Sequence, residues 1–104
     1  MEQYSIDITE HALRDVREIY SYIAHDLKEP LTALGQIDRI ESAIDSLAVM
    51  PRRAPLISDG HLASEGYRKL IVDHYIVFFT IDEAASAVRI SRILYARRDW
   101  VSII

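Results

Sequence analysis

The chain has 104 residues and no cysteine, which excludes disulfides, thiolate catalysis and cysteine-ligated zinc, and its length predicts a single domain over residues 1–104. No apolar run approaches the roughly 18 residues of a membrane span and the first residues lack the pattern of a signal peptide, so we expect a cytoplasmic protein with no membrane partner. The net charge of −4 divides into 10 acidic and 4 basic residues over 1–51, but 6 acidic and 8 basic residues over 52–104, which disfavours nonspecific polyanion binding and allows a local basic site.

The first half of the chain predicts one strand and two amphipathic helices. Apolar residues alternate with polar ones over residues 4–8, as in a half-buried strand. Thr9 is a suitable N-cap for a first helix over residues 10–25, whose apolar positions recur every three or four residues. Pro30 suits the first turn of a second helix, which Pro51 closes. The short link between them predicts an antiparallel helical hairpin that packs on one face of a sheet.

The second half predicts a loop and then a β-meander. Residues 51–65 contain prolines and a glycine without either periodicity, and they predict a surface loop that is either a binding loop or a plain connection. Three runs rich in β-branched and aromatic residues follow at 67–72, 75–81 and 87–95, separated by hairpin-length connections. The middle run is apolar at nearly every position, which predicts a central strand covered on both faces. The sequence therefore predicts an α+β fold made of a short N-terminal strand, an antiparallel helix hairpin and a three-stranded antiparallel meander.

The carboxylates and histidines show no pattern typical of a metal site. Asp38, Glu41 and Asp45 lie on one face of the second helix, opposite its apolar seam, which indicates a solvated face. The histidines lack the spacing of metal ligands, so we expect no metal and no cofactor. His74 shares a tight turn with Asp73, which tolerates the left-handed conformation of such a turn better than histidine does. We therefore expect His74 to be a turn residue and the turn to be slightly strained.

Two segments carry a resemblance to a known family: GYRKLIVDHYIVFFTID at residues 66–82 and RILYARRDW at residues 92–100. Together with YSIDIT at residues 4–9 and the order strand, helix, helix, loop and meander, they resemble the RelE/ParE family of bacterial type II toxins, of the plasmid-stabilisation type, over nearly the whole chain. The resemblance implies an α+β toxin encoded beside an antitoxin. The flexible C-terminal segment of that cognate antitoxin would wrap the toxin and suppress it in a hetero-oligomer.

Two kinds of target are known in this family. RelE-like members are ribosome-dependent endonucleases that cut messenger RNA, whereas ParE-like members poison DNA gyrase without hydrolysing nucleic acid. In the nuclease branch an arginine follows the first hairpin turn, and Ile76 stands in its place here. The loss of a phosphate-stabilising charge puts the chain closer to the ParE-like branch and favours a protein that is not an enzyme. If the chain is a nuclease, its catalytic residues would be Lys69, Arg92, Tyr95 and Arg98.

Binding a target requires fewer functional groups than cleaving RNA, because a complementary surface with a few anchor residues is sufficient. Arginine and aromatic residues dominate the energetics of such surfaces, and the meander carries them on its strands and just past its last strand. The predicted target-binding residues are Arg68, Arg92, Tyr95, Arg97, Arg98 and Trp100. Arg97 and Arg98 have two competing uses, which are ion pairs with acidic residues of the helices and docking of the antitoxin.

Three functions remain open from the sequence. The first is a ParE-like toxin that inhibits growth by binding a target such as DNA gyrase. The second is a RelE-like messenger-RNA endonuclease that acts on the ribosome, and the third is a decayed toxin that only binds its antitoxin. The apolar tail, WVSII at residues 100–104, either folds back over the sheet or is covered by a partner.

Overall fold

The computed structural model describes residues 2–104. Its regular elements are β1 (Ser5–Ile8), α1 (Glu10–Ser21), α2 (Pro30–Ser46), α3 (Gly60–Ser64), β2 (Arg68–Val72), β3 (Tyr75–Asp82), β4 (Ala87–Tyr95) and α4 (Trp100–Ile103). A π-helical segment, Tyr22–Asp26, continues α1, and a 3-10 turn, Pro51–Arg53, follows α2. The predicted loop over residues 51–65 therefore holds a turn and a short helix. None of the helices within residues 2–104 combines the length and the apolar character needed to span a membrane.

The strands form one sheet in the order β1-β4-β3-β2. The predicted meander is confirmed, since β2, β3 and β4 pair antiparallel in succession. The sheet as a whole differs from the prediction, because β1 joins it as a fourth strand, parallel to β4, with Ser5 opposite Ala87 and Ile8 opposite Ile90. The helices carry the chain from β1 to β2 at the opposite edge of the sheet, and the antiparallel meander then returns β4 to lie parallel beside β1. The sheet is therefore mixed.

The helical hairpin begins as predicted and changes form near its tip. Thr9 Oγ1 accepts a hydrogen bond from the N–H of Ala12 at 3.1 Å, which caps α1. At Tyr22 the helix becomes π-helical, and the N–H of Leu27 donates to the Tyr22 carbonyl at 3.0 Å. Lys28 then has a φ of 57°, which turns the chain back into α2.

One face of the sheet packs against this hairpin and forms the main core. Val77 and Phe79 of β3 and Ile90 and Ile93 of β4 are fully or almost fully buried there. They pack against the apolar seam of the helices, whose buried members are Ala12, Ile19, Ala33, Ile40 and Ile44. The burial of large apolar side chains on this side supplies most of the driving force for folding.

The opposite face of the sheet is covered by the loop before β2 and by the tail. A second apolar cluster contains Ile57, Leu62, Ile76, Phe78 and Leu94. The Trp100 ring packs on it with its centroid 5.2 Å from that of Phe78, and Ile103 and Ile104 add partly buried contacts. The central strand is thus covered on both faces, as predicted, and the tail folds back over the sheet.

Replacing Trp100 with alanine is expected to lower the free energy of unfolding by about 2 kcal/mol, because a partly buried aromatic ring leaves its contacts with Phe78. Val101→Ala is the matched control, since Val101 lies on the same short helix and is 45% exposed. Its effect is expected to stay within about 0.5 kcal/mol. Chemical denaturation measures both variants, and equal effects would contradict a docked tail.

Candidate functional site

A groove of about 750 Å³ lies between the helical hairpin and the sheet, where β3 starts and β4 ends. Its helical wall consists of Ile19, Tyr22, Ile23 and Leu27, and its sheet wall of Tyr75, Ile93, Leu94 and Tyr95. Its polar lining groups are Asp15, Glu18, Thr32, Gln36, His74 and Arg98. A mostly apolar groove with a few polar groups is typical of a binding site.

The β2–β3 turn and the end of β4 form one corner of the groove. Asp73 has a φ of 55° and His74 stays outside the left-handed region, so the left-handed position of the turn is taken by Asp73, which tolerates it better than histidine does. The carbonyl of His74 accepts the N–H of Ala96 at 2.8 Å. The ring centroid of Tyr95 lies 6.5 Å from that of His74 and 5.8 Å from that of Tyr75. Two titratable side chains, His74 and Tyr95, therefore line the groove together.

Hydrogen bonds from α2 hold this turn in place. Arg39 Nε donates to Asp73 Oδ2 at 2.7 Å, and Gln36 Nε2 donates to the same oxygen at 3.0 Å. These bonds, the one from Arg39 above all, lower the pKa of Asp73 below its ordinary value. Burial raises the pKa of Tyr75, and the neighbouring Tyr95 adds to this effect. The turn that carries His74 is therefore fixed to the helical layer.

Arg97 and Arg98 follow Tyr95 in an exposed turn. The N–H of Arg98 donates to the Tyr95 carbonyl at 3.0 Å, and the N–H of Trp100 donates to the Arg98 carbonyl at 2.8 Å. Within residues 2–104, the guanidinium groups of Arg97 and Arg98 have no carboxylate oxygen inside 4.0 Å, since the ion pairs there involve other cations. Of the two competing uses, pairing with the chain's own helices is therefore not observed. Arg98 lines the groove and Arg97 does not.

Arg92 is used inside the protein. Its Nε and Nη2 donate to the two carboxylate oxygens of Asp15 at 2.8 and 2.9 Å. The N–H of Ile93 donates to Asp15 Oδ2 at 2.9 Å. The side chains of Arg92 and Asp15 are 20% and 6% exposed, and the hydrogen bonds that Arg92 donates to Asp15 raise the pKa of Arg92. A paired, largely buried guanidinium is poorly placed to reach another molecule.

The other site residues predicted from the sequence, Arg68, Trp100 and Lys69, lie outside the groove lining. Arg68 Nη1 donates to the carbonyl of Ala54 at 2.7 Å, and Trp100 covers Phe78. Lys69 lies on β2 opposite Phe78 and is not part of the groove lining. The structure therefore brings Tyr95 and Arg98 together, with Arg97 on the same turn, and separates them from the other members of the set.

The position that distinguishes the nuclease branch lies in the core. Ile76 is 5% exposed and belongs to the second apolar cluster, beside Leu94. A phosphate-binding group at this position would have to leave that cluster to reach solvent. Among residues 2–104, no group of three or more histidine, aspartate or glutamate side chains is arranged to hold a metal ion.

Sequence reasoning missed several members of the groove. His74 lies in the β2–β3 turn, as predicted, and the pairing of Tyr75 with Tyr95 brings that turn next to the end of β4. Tyr22 and Leu27 are 53% and 52% exposed on the opposite wall. The π-helical turn between them breaks the helical periodicity from which their exposure would have been predicted.

The sequence was compared with models of known protein families and with curated protein sequences. A family model described as the ParE toxin of type II toxin-antitoxin system, parDE, matches residues 6–100. No curated protein sequence matches the chain at a significant level.

Solved structures are similar in fold. A chain of the chromosomal ParDE TA system from P. aeruginosa is 21% identical with a TM-score of 0.76, and the alignment covers 91% of this chain and 98% of that one. A chain of the toxin-antitoxin complex RelBE2 from Mycobacterium tuberculosis is 24% identical with a TM-score of 0.63, covering 91% and 93%. A double mutant of the E. coli toxin RelE in the free state is 14% identical with a TM-score of 0.68, covering 97% and 92%.

Replacing Asp15 with alanine is expected to lower the free energy of unfolding by about 3 kcal/mol, because Arg92 and the N–H of Ile93 lose their shared acceptor in a largely buried position. Asp38→Ala is the matched control, since Asp38 is an exposed carboxylate of α2, and its effect should stay within about 0.5 kcal/mol. Urea denaturation of both variants provides the measurement. A similar loss in the two would argue against a special role for the buried carboxylate.

The pKa of Asp73 is expected to rise toward its ordinary value of 3.8 in Arg39→Met, because the first of its two stabilising hydrogen bonds is removed. Since the folded pKa is lowered, the turn contributes stability at neutral pH, and this contribution is lost as the pH falls from the unfolded pKa through the folded one. An NMR titration of the Asp73 carboxyl carbon measures the shift. Lys28→Met, an exposed change outside the turn, serves as the control, and an identical pKa in both variants would refute the assignment.

Proposed function

We propose a function for this chain from the premise that it belongs to the ParE toxin family of type II toxin-antitoxin systems. In this proposal the chain arrests growth by binding a cytoplasmic target such as DNA gyrase, and a cognate antitoxin neutralises it. The surface that binds the target is the corner formed by Tyr95, Arg97 and Arg98 beside the groove. The corner is defined by these three residues and is called the Tyr95–Arg98 corner below.

The main support for the proposal is that the Tyr95–Arg98 corner is exposed and that its cations are not paired with carboxylates of the chain's described residues. Tyr95 is 40% exposed, and Arg97 and Arg98 are exposed cations without a carboxylate partner in the part of the chain that the structure describes. Tyrosine and arginine next to an apolar groove are the residue types that anchor protein interfaces. Arg68 and Arg92, in contrast, are bound within the chain.

Binding is favoured over RNA cleavage by the shortage of cations in the groove. Cleavage through the 2′-hydroxyl needs positive groups around the phosphate besides an acid and a base. Asp15 neutralises Arg92, Lys69 lies elsewhere on β2, and Ile76 is buried where the nuclease branch carries a charge. Arg98 is the one arginine or lysine in the groove lining. We therefore favour a toxin that inhibits by contact and is not an enzyme.

A ribosome-dependent messenger-RNA endonuclease is the second candidate. It is favoured by a specific observation, which is that His74, Tyr95 and Arg98 line the same groove. An imidazole and a phenol are capable of proton transfer, and a guanidinium can hold a phosphate oxygen. This candidate differs from the first in requiring His74 for toxicity.

The antitoxin is the expected partner of the groove itself. Tyr22 and Leu27 are large apolar side chains that are about half exposed on its helical wall, and an amphipathic segment laid between them and Tyr95 would cover all three. Such a segment would also block the Tyr95–Arg98 corner. Neutralisation then follows from occupancy of one continuous surface.

Expression of the chain alone in a bacterium, and together with the antitoxin encoded beside it, tests the proposal. Growth arrest that the antitoxin relieves is the expected result, and it should coincide with loss of supercoiling by purified gyrase. Cuts in ribosome-bound transcripts, seen by primer extension with normal supercoiling, would favour the endonuclease instead. Uninterrupted growth would indicate a decayed toxin that only binds its antitoxin.

Arg98→Ala and Tyr95→Ala are each expected to weaken target inhibition about tenfold or more, because each removes an interface anchor. Arg17→Ala is the matched control, since Arg17 is an exposed arginine of α1 outside the groove lining. His74→Ala should leave a contact inhibitor active but disable a nuclease. Inhibition curves for equal amounts of folded protein provide the comparison, and full potency of Arg98→Ala would exclude this corner as the target site.

A further inference from the structure

The two carboxylate oxygens of Asp15 hold β4 at three points. They accept Arg92 Nε at 2.8 Å, Arg92 Nη2 at 2.9 Å and the N–H of Ile93 at 2.9 Å. We propose that Asp15 is a positioning residue for the Tyr95–Arg98 corner and that Arg92 acts through it instead of contacting the target. The inference rests on the proposed function and adds a residue that no sequence motif assigned to it.

The location of these bonds along β4 gives the first argument. β1 accompanies β4 only as far as the pair Ile8 and Ile90, and Thr9 Oγ1 adds one bond to the Ser91 carbonyl at 3.0 Å. Beyond Ser91 the outer edge of β4 has no neighbouring strand within residues 2–104. Past the end of β1, Asp15 therefore supplies the hydrogen bonds to the outer edge of β4, and its last contact, at Ile93, lies two residues before Tyr95.

A β-bulge gives the second argument. Phe78 pairs with Arg92 and Phe79 with Ile90, so Ser91 has no partner on β3. A bulge bends and twists its strand, which makes the direction of the residues that follow it sensitive to additional bonds. The Asp15 contacts begin directly after the bulge and fix that direction. The end of β4 then presents Tyr95 to the groove.

The geometry of the pair gives the third argument. A bidentate arginine–carboxylate contact fixes orientation as well as distance, because the two donors of the planar guanidinium match the two oxygens. Asp15 sits on α1, and its side chain is 6% exposed. Since Ile19 and Tyr22 of the opposite wall lie on the same continuous helix and π segment, the contact also sets the distance between the two walls of the groove.

A double-mutant cycle separates positioning from direct contact. If Arg92 touches the target, Arg92→Met loses potency while Asp15→Leu does not, and the two effects are independent. If Asp15 and Arg92 act as one support, each single variant loses about tenfold in potency and Asp15→Leu/Arg92→Met loses no more than either. Asp15→Asn, which keeps an acceptor for the N–H of Ile93, should be closer to the native chain than Asp15→Leu.

Stability measurements distinguish positioning from a purely structural role. The double variant replaces the ion pair with two apolar side chains, and such replacements commonly restore stability that single removals lose. We expect it to unfold at a urea concentration close to that of the native chain while remaining about tenfold less potent. Native potency in the stable double variant would overturn the proposal, as would independent effects in the cycle.

Amide NMR spectra of the full chain test the positioning role without any target, and so remain informative if the chain does not inhibit gyrase. The amide signals of residues 93–98 are expected to move in Asp15→Leu and in the double variant, whereas those of β2 stay in place. Unmoved signals for Tyr95 and Arg98 would refute positioning whatever the target is. Failure of Arg98→Ala to reduce potency, with the signals moving as expected, would instead refute only the proposed target surface.

Discussion

The structure depends on a buried carboxylate that joins its two layers. Asp15 reaches from α1 to β4 and binds both the side chain of Arg92 and the main chain of Ile93. Burial of a charge is unfavourable unless its hydrogen-bonding capacity is met, and here three donors meet it. The pair therefore fixes how the helical hairpin lies on the sheet, and the groove between the layers takes its width from it.

The four arginines predicted to bind a target fall into two groups. Arg68 donates to the chain's own loop through Nη1, and Arg92 donates to α1 through Nε and Nη2. Arg97 and Arg98 lie just past the last strand, where the chain turns toward α4, and neither forms an ion pair with a carboxylate within residues 2–104. A chain with a net charge of −4 thus exposes a small basic corner beside an apolar groove, a combination suited to one specific partner.

Most of the fold was predictable from local patterns. Capping by Thr9, apolar periodicity and β-branched runs identified the elements, because each of these signals acts between near neighbours in sequence. The parallel pairing of β1 and the bond between Asp15 and Arg92 join distant parts of the chain, and no local pattern reports them. For that reason Arg92 was assigned to a target. Tyr95 ends the last strand and Arg98 follows it, so the sequence places these two near each other, whereas the position of His74 beside them depends on the pairing of β3 with β4.

The place of β1 in the sheet has a consequence for how the protein forms in the cell. Of the four strands within residues 2–104, β1 is synthesised first, and the strand that it pairs with, β4, is synthesised last. Pairings between such distant segments slow folding, because the intervening chain must be ordered before they form. The corner after β4 can therefore take shape only after the helical hairpin and the first two strands of the meander have been made. A ribosome-bound fragment that stops before β4 therefore lacks both the pairing of β1 and the Tyr95–Arg98 corner.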